Sequence, residues 1–586
     1  MRNHVVLHDA AAKQWLHFRE PRHIVEAHRL EEVLPALRRI DALVQEQGLH
    51  AVGFISYEAA PAFDHALQVR QMDDPFPILW FGLFPEPEVI PSPRAAQPAP
   101  ALDWTPTIGR AAYDEAIAHI KEHIARGDTY QVNYTFRLRA SFSGDPWPLF
   151  QTLAHAQQAD YAAFIETERY AICSASPELF FRLDGSLLAS RPMKGTAARG
   201  RWLAEDEAQA DWLHHSEKNR AENVMIVDMI RNDLGRVART GTVSVPRLFA
   251  VEKYPTVWQM TSTVEAQTDA SLPDIMAALF PCASITGAPK ARTMQIISDL
   301  ETTPRRLYTG TIGFIAPNRR AQFNVAIRTV LVDRQRAQAE YGVGGGIVWD
   351  SDSAEEYAEC ETKARVLTAQ WPDFSLLETI LWEPGDGYFL LPYHLRRLQD
   401  SARYFDFPTD PAAIHAELAA CAASLPPAPH RVRLLLARDG TLSVQATPLG
   451  DDAPTRPVRL GLAPTPVNSA SPFLYHKTTH RQLYEQALAS RPDCDDVLLW
   501  NERGEITETA IANIVLRLDN ELVTPPLSSG LLPGTFRASL LDQSQVRERI
   551  ITREMLRHAE HIYRINSVRK WQDAVLLLQV YSKDLP

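Results

Sequence analysis

Residues 203–237 carry few helix breakers among their charged and apolar positions, and the pattern predicts one long helix. Lys218 and Glu222 stand four apart on it and share a face. Beyond it, strand-like runs alternate with helical ones as far as Asp350. Residues 355–370 read as a helix that sets Glu356, Glu359 and Lys363 on one side, at i, i+3 and i+7. Residues 374–382 read as a strand, and Glu383-Pro384-Gly385-Asp386-Gly387 turns it into a second, short one. The change of pattern at Trp371-Pro372-Asp373 marks a division of the chain. Two other stretches are rich in proline. Residues 85–106 read as a link from an N-terminal substructure to the main body, and residues 426–429 as a loop. No short internal repeat is visible.

A chain of 586 residues exceeds one ordinary core, so more than one domain is expected. We expect a first domain over residues 1–370, with a substructure at 1–105 and a core at 106–370, and a second over 371–586. The composition, 45% hydrophobic and 23% charged, is that of a globular protein. A net charge of -12 argues against a nucleic-acid partner, while a local arginine cluster can still hold a small anion. Cys173, Cys282, Cys360, Cys421 and Cys494 are scattered without a C-x-x-C pair, which points away from a zinc site or a disulfide framework and suits a reducing cytosol. No apolar run has the length of a signal or a membrane span, so a cytoplasmic protein with no membrane partner is expected.

Three motifs carry candidate chemistry in the first half: Ser176-Pro177-Glu178-Leu179-Phe180, Arg191-Pro192-Met193-Lys194-Gly195-Thr196, and Ser216-Glu217-Lys218-Asn219-Arg220-Ala221-Glu222-Asn223. A single lysine or glutamate on a helix is usually a solvated charge. The order and spacing of these motifs together resemble the catalytic half of the chorismate-utilising enzymes. That resemblance implies an α+β fold, an antiparallel β-sandwich with outer helices. It also implies Glu178 as a general acid for a departing ring hydroxyl. Lys194 stands where the members that aminate chorismate at C4 carry a nucleophilic lysine and anthranilate synthases a small residue. Mg²⁺ is the implied cofactor, with Glu222 and Glu359 as ligands and Glu356 supporting them from behind or serving as an alternate ligand. Carboxylates of the substrate are assigned to Tyr308, Arg328 and Lys363, with backbone donors around Gly345 and Thr286 at the pocket wall. One position departs from the pattern: Gln259 stands where many relatives carry histidine, and is expected to hydrogen-bond a ring substituent.

The second half holds Lys477 in Tyr475-His476-Lys477-Thr478, then Glu508 in Ile506-Thr507-Glu508-Thr509, then Leu532-Pro533-Gly534-Thr535. This order resembles the fold-type IV pyridoxal phosphate enzymes, two-subdomain α/β proteins that include aminotransferases and a lyase. The resemblance implies pyridoxal 5'-phosphate held by Lys477, with Glu508 at the pyridine nitrogen and Arg397 and Thr535 at the phosphate. Thr379 is implied in proton transfer and Asn566 in the substrate pocket. Relatives of this half are usually dimeric, so a homodimer is a further expectation.

Side by side, the two halves imply p-aminobenzoate synthesis: chorismate is aminated through Lys194, and pyruvate is then eliminated. None of the five cysteines lies in a glycine-flanked nucleophile turn followed by His-x-Glu, so ammonia is expected from a separate glutamine amidotransferase subunit or from free ammonium. The rival readings are anthranilate- or isochorismate-type synthesis beside an aminotransferase, and a catalytically dead scaffold. Lys194 speaks against the anthranilate version, and the full set of acids and lysines against the scaffold.

Overall fold

A computed structural model describes residues 3–72, 74–93, 102–367, 372–450 and 456–577. It divides into two compact units. The first comprises Met1–Ala198 and Ala210–Trp371, and the second comprises Arg199–Gln209 and Pro372–Pro586. No helix among the described residues is long and apolar enough to cross a membrane.

The first unit is built on two ten-stranded sheets whose strand pairs are all antiparallel. The first ninety residues do not fold apart. His4–Asp9 and Gln14–Phe18 extend one sheet, while His23–Ala27, His50–Ile55 and Leu79–Phe84 extend the other. A buried cluster draws Val5, Phe18, Ile165 and Ile172 from one sheet and Phe54, Trp80 and Phe314 from the other, so the two share a core. Helix Leu30–Gln47 buries Val33, Leu37, Ile40 and Val44 at i, i+4, i+7 and i+11, and stops at Gly48, whose φ of 63° provides a left-handed cap. Each such aliphatic side chain withdrawn from water contributes about 1.5–3 kcal/mol.

Residues 203–237 are two helices, Leu203–His215 and Glu217–Gly235, where the sequence pattern predicts one. Ser216 between them leaves the helical region (φ -65°, ψ 110°) and its hydroxyl accepts from the Asn219 amide, which starts the second helix afresh. Serine is a poor helix interior residue and a good cap, a signal that the run of helix formers around it masks. The helix over 355–370 is observed as Ser353–Ala364 with a 3-10 turn at Arg365–Leu367, and residues 368–370 lie outside the described ones.

The second unit has a four-stranded antiparallel sheet centred on Leu376–Glu383 and His430–Leu436, and an eight-stranded mixed sheet. Segment Arg199–Gln209 belongs to this unit although it follows the Lys194 strand in sequence. Tyr404 donates to the Gly200 carbonyl (2.7 Å), Arg201 donates to the Tyr475 hydroxyl (3.2 Å), and the Trp202 ring lies against Tyr475 with centroids 5.2 Å apart.

Two candidate active sites

Lys194 lies on edge strand Met193–Ala198, which pairs with Val257–Gln267. Two residues brace this strand around the lysine. Asn223, beside Glu222 on helix Glu217–Gly235, donates to the Lys194 carbonyl (3.3 Å). Gln259 donates to the Gly195 carbonyl (2.9 Å) and accepts from Thr196 (3.0 Å). Both ends of that amide therefore brace the lysine strand, where sequence reading expects them on a ring substituent. Gly195 takes φ 98°, a conformation that disfavours any side chain.

The electrostatics follow from burial. Lys194 is half-buried, and desolvation pulls its pKa below the ordinary lysine value against the opposing charges of Glu222, Glu178 and Glu359. Glu178 is 4% exposed, and desolvation raises its carboxyl although the Ser284 hydroxyl donates to it (2.7 Å). Burial likewise raises Glu222. Glu359 is more open, and Lys363 at 2.7 Å lowers it. An amine of lowered pKa thus neighbours a carboxyl of raised pKa. Glu356 accepts from Ser351 (2.7 Å), and a Cβ on Gly345 would come 3.0 Å from Glu356 Oε2 and 3.9 Å from Lys363 Nζ. Among the described residues no group of three acids, histidines or cysteines closes on a metal position. Glu222 and Glu359 lie near enough to perturb each other, which suits an ion that takes one or two carboxylates and fills its shell with water and substrate oxygens.

Arg328 adopts φ 51°, and one arm of its guanidinium donates to the Lys363 carbonyl (2.6 Å). Tyr308 packs its ring where a side chain on Gly342 would stand, since a Cβ there would be 2.2 Å from the ring. Behind Tyr308 and Thr286 lies an ion cluster that sequence reasoning missed. Arg305, about 1% exposed, donates to Glu301 (2.7 Å), to the Asn133 carbonyl (2.7 Å), to the Ile285 carbonyl (3.0 Å) and to the Thr309 hydroxyl (3.3 Å). One side chain so ties together the residues next to Thr286 and Tyr308.

In the second unit, Thr379, Arg397, Lys477, Glu508, Thr535 and Asn566 all line one cavity of about 800 Å³, within the usual size for small-molecule sites. The segment before Lys477 is set by pairing, because the Leu377 amide donates to the Lys477 carbonyl (2.9 Å). Burial lowers Lys477 to about 8, helped by Arg397. Burial raises Glu508 to about 7, while Tyr484 (2.8 Å) and Asn513 (3.2 Å) donate to its two oxygens. Asn566 uses its amide oxygen to accept from the Val568 and Arg569 amides, which shapes the turn at the cavity wall.

Arg397 sits on helix Leu391–Phe405 with His394 and Ser401 on the buried side, whereas Arg396 is not among the buried residues. The edge of its fork grips Glu378 (2.6 and 2.9 Å), and its remaining arm donates to the Pro533 carbonyl (3.0 Å). Burial alone would raise Glu378, but Arg397 and His394 bring it down to about 2. With that carboxylate ionised, His394 Nδ1 donates to it (2.6 Å), and Nε2 accepts from the Thr535 hydroxyl (3.2 Å). The cluster Glu378, His394, Arg397 and Thr535 is one hydrogen-bonded unit. It offers residual guanidinium N–H groups beside the start of helix Thr535–Asp542, a fitting phosphate cradle. The cavity also receives Arg431 and Arg433, two exposed alternate positions of strand His430–Leu436, the second opposite Thr379. Sequence reasoning passed over both arginines, as well as Tyr484 and Asn513.

The chorismate binding enzyme model matches residues 2–369. The chain belongs to the chorismate binding enzyme family. A second model, amino-transferase class IV, matches residues 375–576. The chain is 43% identical over 273 residues to aminodeoxychorismate synthase component 1 of Bacillus subtilis, covering 46% of this chain and 58% of that one. It is 38% identical over 345 residues to the protein of the same name from Klebsiella aerogenes, covering 58% and 74%. The chain thus spans well under two thirds of the Bacillus subtilis relative. Anthranilate synthase component I of Streptococcus pneumoniae superposes with a TM-score of 0.53 at 24% identity, over 63% of this chain and 92% of that one, a likeness of fold.

Proposed function

We propose that this chorismate binding enzyme makes p-aminobenzoate in two steps: amination of chorismate to 4-amino-4-deoxychorismate in the first unit, and loss of pyruvate in the second. The observation that carries the reading is Lys194, an amine of lowered pKa beside Glu178, a buried carboxyl of raised pKa. The names of the relatives support the first step, and the class IV match supports the second.

In the first step the Lys194 lone pair forms a bond to ring C2, the two ring double bonds each shift by one position so that the second reaches C4, and the C4 hydroxyl leaves as water with the proton of Glu178. Nζ then carries a positive charge. Ammonia attacks C4, both double bonds shift back, and the C2–N bond breaks to return a neutral lysine. The new ammonium gives its extra proton to the Glu178 carboxylate, which restores the starting state. Glu222 and Glu359 would hold Mg²⁺, which supplies the charge that fixes the ring carboxylate, with Glu356 in support. Arg328, Tyr308, Lys363, Thr286 and the backbone at Gly345 orient the substrate. Ammonia comes from a separate glutaminase subunit, in keeping with relatives named component 1.

In the second unit, pyridoxal phosphate when bound supplies an electron sink for deprotonation next to the amine. Lys477 would anchor it and then move the proton at the amine-bearing carbon, assisted by Thr379. Glu508 would face the pyridine nitrogen, and Arg397 and Thr535 the phosphate. Proton loss at that carbon and departure of the neighbouring enolpyruvyl oxygen leave an aromatic ring and pyruvate. Arg431 and Arg433 in the cavity favour a dicarboxylic amine over a simple amino acid, and so a lyase over an aminotransferase. The proposed frame is an antiparallel β-sandwich with outer helices for the first unit and a two-subdomain α/β fold around the cofactor for the second.

One incubation tests the proposal: the purified chain with chorismate, Mg²⁺, ammonium and pyridoxal phosphate, following p-aminobenzoate and pyruvate together. Equal release of both is expected. Aminated chorismate without pyruvate would leave the first step standing and remove the second. Anthranilate or isochorismate would remove the role given to Lys194.

A further inference from the structure

A row of polar side chains runs along strand Gln131–Ser141, where Gln131, Asn133, Thr135 and Arg137 alternate with the apolar Val132, Tyr134 and Phe136. The neighbouring strand Gln338–Ile347 sets Gly346 opposite Asn133, Gly344 opposite Thr135 and Gly342 opposite Arg137. The missing side chains leave room for the polar row. Asn133 and Thr135 are committed, the first donating to the Ile285 carbonyl and the second to Glu301. Gln131 is different. It is 1% exposed, yet its side-chain oxygen has no hydrogen-bond partner among the described residues. A buried amide oxygen without a donor is costly and calls for a function.

The position of the amide supplies one. A Cβ on Gly346 would stand 2.0 Å from Gln131 Nε2 and 3.1 Å from Lys194 Nζ, so the end of the glutamine borders the amine across a gap that only glycine leaves open. We propose that Gln131 is a positioning residue for Lys194. The amide presents Nε2 to this gap, and a half-turn of the amide would bring its unpartnered oxygen there to accept an N–H of the lysine, which turns the nitrogen lone pair toward the ring. The same oxygen then stays on Nζ while the nitrogen is bonded to C2 and positively charged. An acceptor fixed in place before the charge appears costs no reorganisation when it forms. No proton passes to the amide, and the atom balance of the amination step is unchanged. The inference rests on the nucleophilic role of Lys194 proposed above.

The test uses the full-length chain. Chorismate and Mg²⁺ are supplied without ammonium, the mixture is quenched, and the mass of the peptide bearing Lys194 reports the fraction carrying the substrate ring. Turnover with ammonium is measured in parallel. Gln131→Met, of similar length but without an amide, is expected to lower kcat by about 10²-fold, as removal of a fixed polar contact to a developing charge does. Its KM for chorismate should stay within about twofold, and the trapped fraction should fall at least about tenfold. Gln131→Glu keeps an acceptor oxygen in place and should retain the trapped fraction. If Gln131→Met does not fold, Gln131→Asn, which withdraws the amide by one methylene, is expected to show the same loss of trapping. Wild-type turnover and trapping in Gln131→Met or Gln131→Asn would overturn the proposal, as would equal losses of trapping in the Met and Glu variants. Lys194→Ala separates this failure from a deeper one. If that variant still aminates chorismate, the lysine reading itself fails. If it is inert while the Gln131 variants behave as wild type, only the role of the glutamine fails.

Discussion

Replacing Arg305 by leucine should loosen the first unit from behind its proposed chorismate site. The guanidinium is about 1% exposed and has four acceptor groups: the Glu301 carboxylate, the carbonyls of Asn133 and Ile285, and the Thr309 hydroxyl. It also lies over the Tyr57 ring at 4.5 Å. Leucine removes every donor and leaves Glu301 to Arg137 at 3.3 Å and to Thr135. Breaking a buried pair from one side costs about 3–5 kcal/mol, and each orphaned carbonyl adds to this. At 1.4 kcal/mol per factor of ten, openings of this region become about a hundred- to a few-thousand-fold more frequent. Hydrogen exchange followed by mass spectrometry reads this directly. Peptides from strand Gln131–Ser141 and helix Lys290–Leu300 should lose protection by that factor, while peptides from the second unit serve as an unchanged reference. Arg305→Lys keeps a charge but not the planar fork, and should fall between the two. Protection lost by less than about fivefold in the leucine variant would refute the reasoning, because the cluster would then be dispensable.

Three further outcomes are expected. Glu58 is buried and desolvation raises it to about 7, while two backbone amides, of Arg305 and Arg306, donate to one of its oxygens. The folded state then holds a proton that the unfolded state loses above about 4.5, so this group weakens the first unit as pH rises from about 4.5 to 7, by ~3 kcal/mol. Glu58→Gln keeps the acceptor and should flatten that decline in urea melts at pH 5 and pH 8, whereas an unchanged slope would clear Glu58 of it. Glu378→Gln leaves Arg397 buried without its counter-charge, so thermal melts of the cofactor-free chain should show a loss of about 3–5 kcal/mol. Adding pyridoxal phosphate should recover most of this loss, since its phosphate restores the charge, and equal losses with and without cofactor would contradict the cradle described above. Arg431→Ala with Arg433→Ala should raise the KM of the second step about tenfold or more with little change in kcat. The same KM in a coupled pyruvate assay would take the arginines out of substrate binding.

The candidate site residues were the most legible part of this chain. Lys194, Glu178, Glu222, Lys477 and Glu508 stand in ordered motifs, and the fold gathers the first three around one amine and the last two around one cavity. What supports these residues was not legible. Glu58, Arg137, Glu301 and Arg305 are charged, and charged residues default to the surface, so nothing along the sequence marks them as buried partners drawn from distant segments. Gln131 looks like any polar residue of a strand until its amide is seen to fill the space that Gly346 leaves open. Ser216 was hidden by good helix formers on both sides. The passage of Arg199–Gln209 into the second unit has no pattern of its own, because docking is a matter of which surface receives a segment.

That passage bears on how such a fusion can be taken apart. A gene divided where the two family matches meet, between residues 369 and 375, would express a C-terminal product without Arg199–Gln209. The missing segment supplies the Trp202 ring and the Arg201 donor that lie on Tyr475, two residues before Lys477. The boundary of sequence homology is therefore not the boundary of structural self-sufficiency. Halves exchanged between fusions, or expressed as separate polypeptides, would have to carry this strip on the C-terminal partner or recover it in trans.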